Sequence, residues 1–182
     1  METLSSHTLN ALQLLLSGDT ELWSIVGISF RVSMTAIAVS TLPALLLAFA
    51  LAYGHFPGRR ILISLFSTLL SVPAVVVGLT LYIILSRQGP MGDLRLLFTQ
   101  TAMVLGQIVL VFPLLVAMSH SSLQASDRRA WETARMLGAS RTRSFFAILY
   151  EVRFGLMAAF LAGFGRIIAE VGASMMLGGN IL

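Results

Sequence analysis

The chain has 182 residues, of which 57% are hydrophobic and only 11% charged, and its mean hydropathy is +0.88. Soluble domains carry about 25% charged residues, so this composition predicts a single-domain integral membrane protein in contact with lipid. The net charge is +4 and the pI about 10.7, but the arginines cluster at the ends of apolar segments, which indicates membrane orientation and not nucleic-acid binding. The absence of cysteine excludes disulfides and thiolate metal sites.

The first residues do not resemble a signal peptide, because Glu2 stands where a basic residue is expected and the apolar run is short. Leu9, Leu12 and Leu16 recur at helical spacing, and Ser17, Gly18 and Asp19 then form a stop signal. The pattern predicts an interfacial helix before the first span. A helix that only packs against the rest of the protein is the alternative.

Four apolar segments are long enough to cross a bilayer at 1.5 Å per residue. Their predicted bounds are residues 32–53, 61–85, 97–123 and 154–177. Each of the first three contains one internal proline, at Pro43, Pro73 and Pro113. A proline frees a backbone carbonyl inside the membrane, so the pattern predicts either kinked helices that line a pathway or ordinary kinks in a bundle.

Two charged residues, Arg166 and Glu170, lie at membrane depth in the fourth span, four residues apart on one predicted helical face. Such charges are expensive in lipid and usually functional or paired. A structural ion pair is one interpretation. The other is that Arg166 faces a hydrated pathway and tunes the passage of an anion, while Glu170 holds it in place. Gln107, in the third span, is a further pathway candidate.

The arginines also predict the orientation of the spans. Arg59 and Arg60 lie in the first connection, six more arginines follow the third span, and only Arg87 and Arg95 lie between the second and third spans. Basic residues are enriched in cytoplasmic loops. The first and third connections are therefore predicted to be cytoplasmic, with the N-terminus outside.

One long polar segment, residues 127–151, interrupts the apolar sequence. Asp127 can cap a short helix whose apolar face includes Trp131, Gly138 can end that helix, and a second apolar surface around Phe145 leads back to the membrane. The pattern predicts two short helices joined at a corner that docks onto a partner. A linker lying on the lipid headgroups is the alternative.

The chain shows no sequence motif for a reaction of its own. It has no lysine, which excludes a P-loop, so ATP hydrolysis would require a separate protein. His7, His55 and His120 lie in separate segments, and the sequence contains no metalloprotease or hydrolase motif. The sequence therefore predicts neither an enzyme nor a metal site.

The polar segment closely resembles the EAA loop of ABC importer permeases. The residues that match this pattern are Glu132, Ala134, Leu137, Gly138, Ala139, Phe145 and Ile148. Thr133 stands where alanine is usual, and Arg141 and Glu151 stand where proline is common. In that family the loop forms a coupling helix that fits into a groove of a cytoplasmic ATPase.

The resemblance covers nearly the whole chain and points to the oxyanion branch of the family. Residues 151–180 look most like tungstate permeases, since molybdate and sulfate permeases more often show GEFGA near Glu170. The alternatives are a permease for molybdate, sulfate or another solute such as an amino acid, and a channel or membrane assembly protein.

The resemblance implies an all-α membrane protein with the type I ABC importer transmembrane fold. It implies four visible spans, an N-terminal interfacial helix, a coupling helix and one further span after residue 177. The implied partners are a second permease copy, an ATPase dimer that uses ATP and magnesium, an extracytoplasmic binding protein and the lipid of a bacterial or archaeal cytoplasmic membrane. No cofactor is expected in the chain itself.

Overall fold

A computed structural model describes residues 20–126, 128–170 and 177–178, and these residues form helices and turns without a strand. Within these ranges, seven α-helices and one short 3₁₀ turn follow one another. They are α1 Thr20–Tyr53, α2 Arg59–Leu69, α3 Ala74–Leu85, the turn Gly92–Leu94, α4 Gln100–Ala125, α5 Arg128–Met136, α6 Arg141–Glu151 and α7 Arg153–Ile168. The all-helical membrane fold expected from the sequence is confirmed.

Two of these helices are long and apolar enough to cross a membrane alone, α1 over Trp23–Tyr53 and α4 over Gln100–Ala125. Two further candidates are bent pairs, α2 with α3 at 101° and α6 with α7 at 70°. The described residues thus contain two candidate spans, or up to four if each bent pair is one span.

The predicted span 61–85 is not one kinked helix. α2 ends at Leu69, and Pro73 stands immediately before α3 with an extended backbone (φ −63°, ψ 135°). Proline has no backbone N–H and pushes the residue before it out of helical conformation. Pro43 and Pro113, in contrast, lie inside the unbroken helices α1 and α4.

The first span begins earlier than the predicted residue 32, because α1 starts at Thr20 and runs for 34 residues. Arg31 lies within this helix on its exposed side, while Val32 and Ser33 beside it are buried. The helix therefore continues past the charge. The predicted interfacial helix lies outside the described residues.

The fourth span also differs from its predicted bounds. α7 ends at Ile168, where Ala169 caps it, and Glu170 follows beyond the helix. The predicted helical face that joins Arg166 to Glu170 is therefore interrupted. Residues 171–176, which the prediction placed in the same span, lie outside the described residues.

The core lies where α1, α4 and α7 pack together, and α1 and α4 share the most extensive contact. Ile37 of α1, Val111 of α4 and Ile167 of α7 are fully buried there. α7 carries two pairs of small residues spaced four positions apart. The pair Ala159 and Gly163 is buried, whereas Ala158 and Ala162 are exposed.

Gly163 allows a close approach of α7 to α4. A Cβ atom added there would lie 3.0 Å from Val111 Cγ2 and 3.3 Å from Leu115 Cδ2. Gly163→Leu is therefore expected to destabilise the protein in detergent by about 1–3 kcal/mol, the usual cost of overpacking. The thermal midpoint of the purified chain measures this effect.

Gly165 provides the matched control, since it lies two residues along the same helix and a Cβ atom there would meet nothing within 4 Å. Gly165→Leu is expected to leave the midpoint nearly unchanged. Leucine has a higher helix propensity than glycine, so equal destabilisation by the two substitutions would show that the close contacts at residue 163 are not the cause of the loss.

Candidate coupling surface

The corner between α5 and α6 is built by hydrogen bonds within the chain. Gly138 has φ +83°, and the N–H of Ala139 donates to the carbonyl of Ala134 at 3.0 Å while that of Gly138 donates to Arg135 at 3.1 Å. This is the Schellman arrangement, in which a left-handed residue closes a helix. Ser140 then caps α6 by accepting from the N–H of Arg143 at 3.3 Å. The predicted two helices and glycine corner are confirmed.

The outward side of the corner is apolar. Met136 is 87% exposed and Leu137 83% exposed, more than any other described large hydrophobic residue. Glu132 and the arginines Arg141 and Arg143 around them are also exposed. Large apolar side chains at such exposure, surrounded by charge, are typical of a surface that binds another protein. We call Met136 and Leu137 the apolar knob.

The inward side of the same two helices packs onto the end of α1. The ring of Phe49 lies 5.4 Å from that of Trp131 and 4.7 Å from that of Phe145, both in edge-to-face geometry. Tyr53, one turn later on α1, stacks on Phe49 at 4.8 Å and lies 5.3 Å from Trp131. We call these four rings the aromatic cradle. Ile148, 1% exposed, packs beside them.

A hydrogen bond links the end of α1 to the residue that follows α4. The hydroxyls of Tyr53 and Ser126 lie 3.1 Å apart, and Ser126 Oγ also donates to the carbonyl of Leu123 at 2.9 Å. The end of α1 therefore contacts the last turn of α4 as well as α5 and α6. The corner is thus linked to α1 by ring contacts and, through Tyr53, to the end of α4.

The structure divides the predicted coupling residues into three sets. Glu132, Leu137 and Gly138 face outward, whereas Phe145 and Ile148 belong to the packed base, and Ala134 and Ala139 are half-buried. The sequence analysis missed Phe49 and Tyr53 as members of this site. Their spacing of four residues at the end of the first span puts both rings on one helical face, which is the signal that could have identified them.

Of the predicted pathway residues, Arg166 lines a cavity of about 310 Å³. The remaining lining is apolar and includes Leu69, Leu70 and Val72 at the break between α2 and α3, and Pro113 on α4. Gln107 and Glu170 are not part of this lining. Gln107 is 4% exposed within α4, so the three predicted pathway residues are not brought together in one site.

Within the described ranges, no three histidine, aspartate or glutamate side chains come close enough to hold a metal ion. The corner has two different sides. Its outward side offers apolar contacts and arginine donors, and its inward side is fixed to the membrane helices.

Residues 44–181 match the family described as "binding-protein-dependent transport system inner membrane component". The chain belongs to this family. Its members are ABC permease subunits, which are transport components and not enzymes, so the family decides against the channel and assembly-protein alternatives. The match includes α5 and α6 and begins within α1.

Individual relatives cover most of the chain. It is 35% identical to the tungstate uptake system permease protein TupB of Peptoclostridium acidaminophilum over 100% of its own length and 79% of that protein. It is 39% identical to a probable anion ABC transporter permease protein of Haloferax volcanii over 90% of its length and 70% of that protein.

A third relative is the molybdenum transport system permease protein ModB of Escherichia coli K12, which is 31% identical over 87% of this chain and 73% of that protein. The resemblance to the ABC permeases, and to their oxyanion branch, is confirmed. The permease is similar to both tungstate and molybdenum transport proteins, with higher identity to the tungstate permease.

Proposed function

We propose that this permease is the membrane subunit of an ATP-driven importer for tetrahedral oxyanions, with tungstate as its main substrate. The observation that carries the proposal is the apolar knob, exposed above a base that the aromatic cradle fixes to α1. The identity to the tungstate permease along the full length of the chain supports the substrate. Molybdate is the alternative, supported by the more distant ModB relative.

In this proposal an ATPase dimer binds the knob from the cytoplasm and uses ATP with magnesium. Two permease copies form the pathway, and an external binding protein delivers the anion and provides the selectivity. The N-terminus lies outside, as the distribution of arginines predicts. ATP binding closes the ATPase dimer and shifts the permease population from inward-facing to outward-facing.

The decisive experiment measures ATP hydrolysis by the reconstituted complex with its binding protein in proteoliposomes. Tungstate is expected to stimulate hydrolysis more than molybdate or sulfate at equal concentration of loaded binding protein. Stimulation by an amino acid and not by tungstate would overturn the proposed substrate. A permease that fails to purify with an ATPase would overturn the proposed role.

We also propose that Arg166 faces the transport pathway. Its position in an apolar cavity beside the α2–α3 break supports this, because a cation there can attract an anion that lipid-facing helices would exclude. Arg166→Gln is expected to lower tungstate transport about tenfold, equivalent to losing about 1.4 kcal/mol of stabilisation.

Arg31→Gln is the control, since Arg31 is also an exposed arginine inside a membrane helix but does not line the cavity. It is expected to transport at the normal rate. Equal transport by the Arg166 and Arg31 variants, with normal amounts of folded protein, would rule out the pathway role of Arg166.

A further inference from the structure

A second cavity, of about 600 Å³, lies in the connection between α3 and α4. Its polar lining includes two arginines and three neutral side chains, at Tyr82, Ser86, Arg87, Gln88 and Arg95. Both arginines are exposed, and among the described residues neither forms an ion pair with an acidic side chain. Asp93, the acidic residue of the same connection, is not in the lining. The cavity is therefore cationic.

The loop around this cavity is held in one shape by contacts within the backbone. The N–H of Met91 donates to Ile84 O at 3.0 Å, and that of Gly89 donates to Ser86 O at 2.8 Å. Side chains would not fit at Gly89 or Gly92, since a Cβ atom at Gly92 would lie 2.5 Å from the carbonyl oxygen of Ser86. The cavity thus exists before any ligand arrives.

Hydrogen bonds at the end of α3 also reduce the negative charge that backbone carbonyls present to an anion in the cavity. The last carbonyl groups of a helix carry partial negative charge, and the C-terminal end of α3 adjoins the cavity. The carbonyls of Ile83 and Ile84 accept from Ser86 Oγ and the Met91 N–H, at 2.9 and 3.0 Å. These acceptors are therefore occupied, and the two guanidinium groups determine the sign of the site.

The cavity lies at the opposite end of α4 from the apolar knob. α4 has 26 residues, so its ends are separated by about 39 Å, roughly the thickness of a membrane. The cavity precedes Gln100 at the start of this helix, whereas α5 follows its last residue. If the knob meets an ATPase in the cytoplasm, the cavity opens on the external side.

From this geometry we infer that the cavity is a receiving site where a tetrahedral oxyanion dianion first contacts the permease. The inference rests on the proposed function, because that function places a loaded binding protein on the external side. Two arginine forks can each donate paired hydrogen bonds to anion oxygens, and Gln88 and Tyr82 add neutral donors. Because the arginines are exposed, binding is weak enough to release the anion inward.

The chain has no cysteine, so one introduced cysteine can report occupancy. Gln88→Cys, in the lining, is alkylated with a neutral thiol reagent in nanodiscs of phosphatidylcholine, with chloride as the ionic-strength control. Tungstate is expected to slow the reaction. Met91→Cys, exposed in the same loop but outside the lining, is expected to react at an unchanged rate.

Arg87→Gln or Arg95→Gln is then added to the Gln88→Cys variant. Each is expected to weaken the binding of tungstate that protects the cysteine by about threefold to tenfold, because exposed charge pairs are partly screened by water. Lack of protection at Gln88→Cys, or full protection after both arginines are replaced, overturns the receiving site. A second set of nanodiscs contains phosphatidylglycerol. If this lipid protects the cysteine by itself and tungstate adds no further effect, the receiving site is overturned and the occupant is a lipid headgroup.

Transport by the full complex separates the two proposals. Reduced tungstate transport by the Arg87→Gln, Arg95→Gln double variant supports the receiving site. Normal transport by that variant together with no protection overturns only the receiving site. A wild-type complex that does not respond to tungstate overturns the proposed function.

Discussion

A complex carrying Gly138→Leu is expected to insert into the membrane but to lose most of its ATP-driven transport. If the contact between the corner and the ATPase loses 1.4 kcal/mol or more of binding free energy, transport falls by more than about tenfold. Gly138 has φ +83°, and a Cβ atom there would meet nothing of this chain within 4 Å. A leucine would therefore strain the corner and extend toward the ATPase beside the apolar knob. The measurements are recovery of the ATPase with the purified permease and tungstate-stimulated hydrolysis.

Two comparisons separate backbone strain from obstruction of the partner. Asparagine tolerates the left-handed conformation better than alanine does, so strain alone predicts normal coupling for Gly138→Asn and reduced coupling for Gly138→Ala. Obstruction predicts a loss for asparagine and leucine and a smaller loss for alanine. The docking proposal requires the second result.

Gly58 is the matched control in the connection between α1 and α2. It also has φ +83° with no atom of this chain near an added Cβ, but it precedes α2 and lies outside the α5–α6 corner. Gly58→Leu imposes the same backbone strain and is expected to preserve coupling. Loss of transport in both variants to the same extent would mean that left-handed strain anywhere in these loops is sufficient.

The helix–corner–helix unit could be predicted because its signals are local. The N–H groups of Gly138 and Ala139 close α5 by donating to carbonyls three and five positions earlier, those of Arg135 and Ala134. Ser140 caps α6 by accepting from the N–H of Arg143, three positions later. Such contacts depend on neighbouring residues, which a sequence pattern contains. The division of the corner into an exposed knob and a packed base was not predictable to the same degree.

The aromatic cradle depends on contacts between residues far apart in the chain. Phe49 and Trp131 meet because α1 and α4 pack along each other and bring the end of one beside the segment that follows the other. Helical spacing indicated which residues share a face, but not which faces meet. The cationic cavity depends instead on how the connection between α3 and α4 folds, which the positions of Arg87 and Arg95 in the sequence do not indicate.

The three prolines show that tertiary packing determines whether a proline interrupts a helix. Pro113 is itself buried in α4, and Pro43 is followed by the buried Ala44 and Ala48 on α1, so neighbouring helices hold both segments straight. α2 has no fully buried residue. With little packing to oppose it, the chain turns before Pro73 by 101° between α2 and α3. A proline in the sequence therefore indicates a position where a helix can break, and tertiary contacts determine whether the helix breaks there.

Removal of the aromatic cradle is expected to uncouple transport from hydrolysis while the ATPase stays bound. Phe49→Leu keeps an apolar side chain but loses ring contacts with Trp131, Phe145 and Tyr53, each worth about 0.5–1.5 kcal/mol. The knob itself is unchanged. The expected result is normal recovery of the ATPase, continued ATP hydrolysis and several-fold fewer tungstate ions transported per ATP. Phe49→Tyr, which keeps the ring, is expected to restore the ratio.

Phe30 and Phe164 provide a control for the loss of an aromatic pair as such. They connect α1 to α7 with ring centroids 5.7 Å apart in edge-to-face geometry, and Phe30 lies 19 positions, about 28 Å along a helix, from Phe49. Double-mutant cycles should give similar stability coupling for this pair and for Phe49 with Trp131. Only the second pair is expected to change the ions transported per ATP, because only it connects the coupling corner to the membrane helices. An equal change in both cycles would mean that general loosening of α1 causes the uncoupling, and the cradle would then have no specific part in transmitting motion.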